Sequence, residues 1–205
     1  GKTCSVEGLL DELDSTFSVF QTHSLPEDTT PFGLLGSILK LCPGGQRFST
    51  VKRILKLLYS KTRTVADEEF DPKNLGRIIV DAVCEVTGDS PSILFLDDIQ
   101  WADPSSLEVL PLLASETSTK PMVIVATCNE DELTRHHPAR RLRARLNRFS
   151  NATEISLGPL SSAETMSLTE RIIGMKPDRK LAEEIYQRTS GLPLFVEELY
   201  RSLSV

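Results

Sequence analysis

Ile93-Leu94-Phe95-Leu96-Asp97-Asp98 is the stretch on which the reading of this chain turns. Four consecutive apolar residues, entered through Ser90-Pro91 and closed by two aspartates, have no polar face to offer water. That pattern predicts a strand buried on both sides in a parallel sheet. Two carboxylates at the end of such a strand are costly unless a cation or a set of donors lies beyond them. In open α/β sheets the carboxyl edge of the strands is where ligands bind. The plainer alternative is that Asp97 and Asp98 are helix-capping or loop residues.

Outward from this strand, helical and strand patterns alternate. Residues 4 to 14 place Val6, Leu9, Leu10 and Leu13 on one helical face, and Phe17 to Gln21 suits a short buried strand. Pro31 reads as the first position of a helix carrying Phe32, Leu34, Leu35, Ile38 and Leu39. A loop follows at 43–47, a helix at 48–60, a charged loop at 61–71, and a helix from Asp71-Pro72 to about Thr87. Beyond the 93–96 strand, a helix from Pro104 to about Ser115 leads to a second apolar strand, Met122 to Ala126. A basic helix over 136–148 and a short strand from Glu154 to Leu157 come next. From Ser161 the texture changes to three helical stretches, 161–173, 178–189 and 193–203, with no strand between them. The fold class is therefore α/β, a parallel-sheet body over 1–158 followed by a small helical piece over 159–205.

Composition narrows the function classes. The 205 residues are 40% hydrophobic and 25% charged, the profile of a globular chain and not of a disordered one. No apolar run approaches the ~20 residues of a membrane span. The net charge of −6 argues against nucleic acid as a partner on bulk electrostatics. Cys4, Cys42, Cys84 and Cys128 lie far apart with no C-x-x-C pair, which predicts reduced thiols in a reducing, cytoplasmic setting and neither a disulfide framework nor a zinc site.

Gly1-Lys2-Thr3 stands directly before the first helix. These residues match the end of G-x-x-x-x-G-K-[ST], the Walker A phosphate loop whose amides cradle phosphates, whose Lys reaches the β/γ oxygens and whose Thr holds Mg²⁺. Alone the match is short; its context, an apolar helix and then a strand with the Asp-Asp strand downstream, is the right one.

With these residues in view, the chain resembles a known family. Leu96-Asp97-Asp98-Ile99-Gln100-Trp101-Ala102-Asp103 resembles the Walker B segment of the STAND branch of AAA+-like P-loop ATPases, the signal-transduction ATPases with numerous domains. Further matches fall in order: Thr30-Pro31-Phe32 before the helix after strand 2, Asp131-Glu132-Leu133 with His137-Pro138 after the sensor 1 strand, Leu157-Gly158-Pro159-Leu160-Ser161 after strand 5, and Ser190-Gly191-Leu192-Pro193-Leu194-Phe195-Val196-Glu197-Glu198-Leu199 at the last helix. The resemblance spans residues 1 to about 203.

It implies a three-layer P-loop core and a helical lid or sensor subdomain, with ATP and Mg²⁺ as ligands. Lys2 would pair with the β/γ-phosphates, Thr3 and Asp97 would hold Mg²⁺, and Gly1 would contribute an amide at a helix N-terminus that favours anions. Asp98 would orient or deprotonate the attacking water, in a position where most AAA+ ATPases carry Glu. Gly191 and Pro193 match the G-x-P motif that lies near the nucleotide in this family; the same pair also simply ends one helix and starts the next. Relatives often place Arg at the end of the sensor 1 strand, whereas this chain has Thr127-Cys128-Asn129, and Asn129 offers a hydrogen bond to the γ-phosphate without charge.

The run from His136 to Arg148 admits three readings: a solvated helix face, an arginine finger for a neighbouring subunit, or a nucleic-acid contact, the last disfavoured because no aromatic residues interleave. Trp101 suits a core or an interface. On the resemblance, the chain starts inside the phosphate loop, further domains of the same protein lie on both sides, and homo-oligomer formation on activation is expected. The expected activity is ATP binding and slow hydrolysis to ADP in a signal-transduction protein. The alternatives are a nucleotide-binding scaffold without turnover, and a DNA-associated AAA+ protein of the origin-recognition type.

Overall fold

The central strand of the sheet is β2 (Ser92–Asp97), every residue of which is buried, as the apolar run from Ile93 to Leu96 within it requires. It pairs in parallel with β1 (Ser18–His23) on one side and β3 (Met122–Ala126) on the other, in the order β1-β2-β3. The computed structural model describes residues 1–13, 15–41, 48–59 and 74–203. Its class is α/β, and its described residues divide into two compact units, Leu9–Glu154 and a second made of Gly1–Gly8 with Ile155–Val205.

In the first unit, the described helices between β1 and β2 are α2 (Gly33–Leu41), α3 (Ser49–Tyr59) and α4 (Leu75–Thr87). The path from β2 to β3 runs through α5 (Pro104–Glu116), and α6 (Pro138–Leu146) packs against α5. Alternation along β2 sorts its side chains: Leu94 and Leu96 join the core built from Leu35, Ile38, Leu39, Ile79 and Leu107, whereas Ile93, Phe95 and Asp97 share the opposite face. Helices start where the sequence supplies caps. Asp103 accepts from the Ser106 N–H ahead of α5, with Pro104 following, and His137 Nδ1 accepts from the Ala139 N–H ahead of α6.

The helical unit holds α7 (Ser162–Ile173), α8 (Arg179–Thr189) and α9 (Pro193–Leu203), which pack on one another. Ser161 and Glu164 form a reciprocal capping box on α7, and Asp178 caps α8 through the Leu181 N–H at 2.7 Å. Gly191 has φ +72, and a Cβ there would lie 2.0 Å from the Leu160 carbonyl oxygen. Only glycine therefore lets residue 191 approach Leu160, whose N–H donates to the Gly191 carbonyl at 2.8 Å.

Four expectations change. No strand forms over 154–157; Ile155 is 77% exposed, and without a neighbouring strand to complete its ladder an extended segment is not a strand. The helix that Pro31 was to open starts at Gly33, because Phe32 has φ +57, outside helical space. The first helix, α1 (Lys2–Asp11), keeps Val6, Leu9 and Leu10 on one face but buries none of its residues, and its end at Asp11 leaves Leu13 outside the helix. The basic helix is shorter than expected, with His136 and His137 before it. The expected loops at 43–47 and 61–71 and the Asp71-Pro72 helix start lie outside the described residues.

Candidate functional site

Asp97 and Asp98 stand at the carboxyl edge of the sheet, where β2 stops and the chain turns. Asp97, 2% exposed, is register partner of His23 on β1, so the two side chains share a face. The His23 Nδ1 lies 3.1 Å from Asp97 Oδ2 and 3.8 Å from Asp98 Oδ2. On the other side Thr127, just past β3, donates its hydroxyl to Asp97 Oδ1 at 2.5 Å and accepts the Asp98 N–H at 2.9 Å. One hydroxyl thus serves both acids, one as donor and the other as acceptor.

Asp98 takes the left-handed conformation, φ 55 and ψ 48, which turns the chain off the strand. A 3-10 turn over Ile99–Trp101 follows, and its buried Gln100 donates from Nε2 to Asp98 Oδ1 at 3.0 Å. Gln100 Oε1 accepts the Asn129 N–H, also at 3.0 Å. The Asn129 side chain donates to Glu132 at 2.9 Å.

Asp103 completes the turn. Buried and at the head of α5, its carboxylate accepts from the N–H groups of Ser106 and Phe32, at 2.9 and 2.8 Å. A small cleft opens beside it, lined in part by His23, Asp28, Ser37 and Trp101.

Among the described residues, the metal-ligating side chains that cluster are His23, Asp97 and Asp98, with one donor atom from each within 4.8 Å of the others. Two carboxylates and an imidazole are donors that suit a divalent cation, carboxylates for Mg²⁺ and Mn²⁺ and imidazole for softer ions.

Of the residues singled out in the sequence, the structure gathers Asp97, Asp98 and Asn129 in the sheet unit. Gly1, Lys2 and Thr3 at the head of α1, Gly191 just before α9 and Pro193 at its first position belong to the helical unit. Gly191 is fixed there by its contact with Leu160, which accounts for the glycine through backbone packing alone. In the basic run, Arg140 donates to the Leu133 and Thr134 carbonyls, Arg145 to the Glu108 carbonyl, and Arg143 pairs with Glu130 and Glu154. The paired Arg143 is held above its ordinary pKa, first by its hydrogen bond to Glu154 and then by the Glu130 charge. These three arginines are therefore part of the fold's own bonding.

The apolar pattern ends the first strand at Gln21 and leaves His23 outside it, so the sequence alone does not point to this residue. Two more residues of strand carry the chain to the sheet edge and set His23 beside Asp97. The signal available was a histidine closely following a strand pattern, legible only with the pairing register in hand.

No protein-family model matches the chain, and no solved structure matches it. An uncharacterized protein of Rhizobium meliloti is similar, 26% identical over 143 residues that cover 65% of this chain. The match covers 13% of that relative's length. Among the described residues no helix is long and apolar enough to cross a membrane.

Proposed function

We propose that this chain is the nucleotide-handling part of a P-loop ATPase of the STAND type. It binds ATP with Mg²⁺ and hydrolyses it slowly to ADP as a regulatory step in a larger signalling protein. The observation that carries the reading is a fully buried parallel strand ending in two acids at the sheet's carboxyl edge, Asp97 sealed and Asp98 partly open. Burial of a carboxylate makes sense where a cation offsets it.

In this reading Asp97, oriented by Thr127 and His23, holds the cation through its hydration shell, and Thr3 adds a hydroxyl. Bound Mg²⁺ supplies charge neutralisation on the phosphate oxygens. Lys2 pairs with the β/γ-phosphates, and Gly1 leaves room for them. Asp98 orients the attacking water and takes its proton, while Asn129 offers a neutral hydrogen bond near the γ-phosphate. Gly191 and Pro193, at the passage from α8 to α9, lie near the nucleotide in this reading and report its state to the helical unit. Partner domains in the same protein and self-association on activation belong to the same proposal.

A second reading, a nucleotide-binding scaffold without turnover, draws on the Asn129 carboxamide, which is bonded to Glu132. One experiment separates the two: Mg·ATP binding and turnover by the intact protein, beside Lys2→Ala and Asp98→Asn. Expected are ATP binding lost in Lys2→Ala, and binding without turnover in Asp98→Asn. Binding without turnover in the unmodified protein favours the scaffold. Binding that survives Lys2→Ala unchanged overturns the phosphate-loop assignment.

A further inference from the structure

We propose that Gln100 is a positioning residue for the hydrolytic step, holding the Asp98 carboxylate and tying it to the chain at Asn129. The inference rests on the ATPase reading above and deepens it. Gln100 is 4% exposed, so its amide has to be satisfied within the protein. Its two ends meet chemically opposite partners: Nε2 faces the Asp98 carboxylate, which can only accept when ionised, and Oε1 faces the Asn129 N–H, which can only donate. Turning the amide over would set oxygen against oxygen and N–H against N–H. The orientation is therefore dictated by the partners.

Two restraints then fix Asp98. Its backbone N–H is bound to the Thr127 hydroxyl, and its Oδ1 to Gln100. Oδ2 lies 3.8 Å from His23 Nδ1, beyond hydrogen-bond distance, and the side chain is 33% exposed. Gln100 thus holds one carboxylate oxygen and leaves the other unbonded on the His23 side of a partly exposed side chain, where a water is to be oriented. Because the same amide also holds the Asn129 backbone, a shift of the segment after β3 moves Oδ1 with it. Removing Gln100 leaves Asp98 in place but free to rotate. Misplacing a reacting group by about 1 Å costs on the order of 100-fold in rate.

The test uses the intact protein and two variants. Gln100→Met keeps length and removes both hydrogen bonds; Gln100→Asn keeps the amide but is a methylene too short to span both partners. Expected for both is a kcat about 10- to 100-fold lower with ATP affinity within about twofold of the unmodified protein. A purely structural brace would instead move affinity and turnover together. A kcat within twofold of the unmodified protein overturns the proposal and leaves the ATPase reading standing. So does a parallel loss of kcat and affinity, or failure of both variants to fold. Absence of turnover in the unmodified protein overturns hydrolysis itself, and this inference with it.

Discussion

The carboxylate of Asp103 accepts the backbone N–H of Phe32 at 2.8 Å, across 71 residues of sequence. It joins the Trp-Ala-Asp end of the β2 segment to the turn before α2, and the same side chain caps α5. Phe32 sits at φ +57, a conformation that costs an L-residue roughly 1–2 kcal/mol. A buried acceptor aimed at its N–H offsets part of that cost.

Replacing Asp103 by Ala removes one helix cap and leaves the Phe32 N–H without its acceptor. The expected destabilisation is about 2–4 kcal/mol. Asp103→Asn retains one acceptor and loses less. Urea unfolding of the two variants beside the parent checks the order; equal stability of Asp103→Ala and the parent would contradict it.

Thr127→Val deletes the hydroxyl that serves both acids while nearly conserving volume. Asp97 loses a donor and the Asp98 N–H an acceptor, for an expected loss of about 1–3 kcal/mol. Thr127→Ser, which keeps the hydroxyl, is expected within about 1 kcal/mol of the parent. Thermal unfolding of the pair distinguishes a hydrogen-bonding role from a packing one.

Gly191→Ala places a methyl group 2.0 Å from a backbone oxygen, at a positive φ. Backbone cannot give way as a flexible side chain does, so the expected loss is about 3 kcal/mol or more. Hydrogen exchange should show the loosening in residues 155–203 first. Unchanged protection in α7–α9 would count against the Gly191–Leu160 contact.

Glu164 is held below its ordinary value of 4.5, first by the hydrogen bond from the Ser161 hydroxyl and next by the Ser161 N–H. A carboxylate depressed in the folded state contributes stability above its unfolded pKa and loses it as pH falls through the folded value. The stability difference between the parent and Glu164→Gln is therefore expected to be constant at neutral pH and to shrink below about pH 4.5. Denaturant titrations at a series of pH values read this directly, and a difference that does not depend on pH would remove the charge from the capping box.

Much of the chain was legible from pattern. The apolar runs around Leu94 and Val123 form the strands their pattern predicts, and the helices expected from Pro104, Ser161 and residue 178 form close to those positions, because run length and turn residues act over a few positions. The strand expected at 154–157 failed for the opposite reason: Ile155 and Leu157 alternate correctly, yet a ladder needs a neighbour that local pattern cannot supply.

The sequence by itself determined the α/β class, the helical tail and the two acids at the end of a buried strand. Tertiary structure decided what those acids meet. His23 reaches Asp97 through the β1–β2 register, Thr127 through the β2–β3 register, and Gln100 through a left-handed turn that no propensity for Asp98 dictates. Each is a contact between residues distant in sequence or turned by an unusual backbone. Such contacts are fixed by how parallel strands align their ends, which is a property of the assembled sheet and not of any one segment.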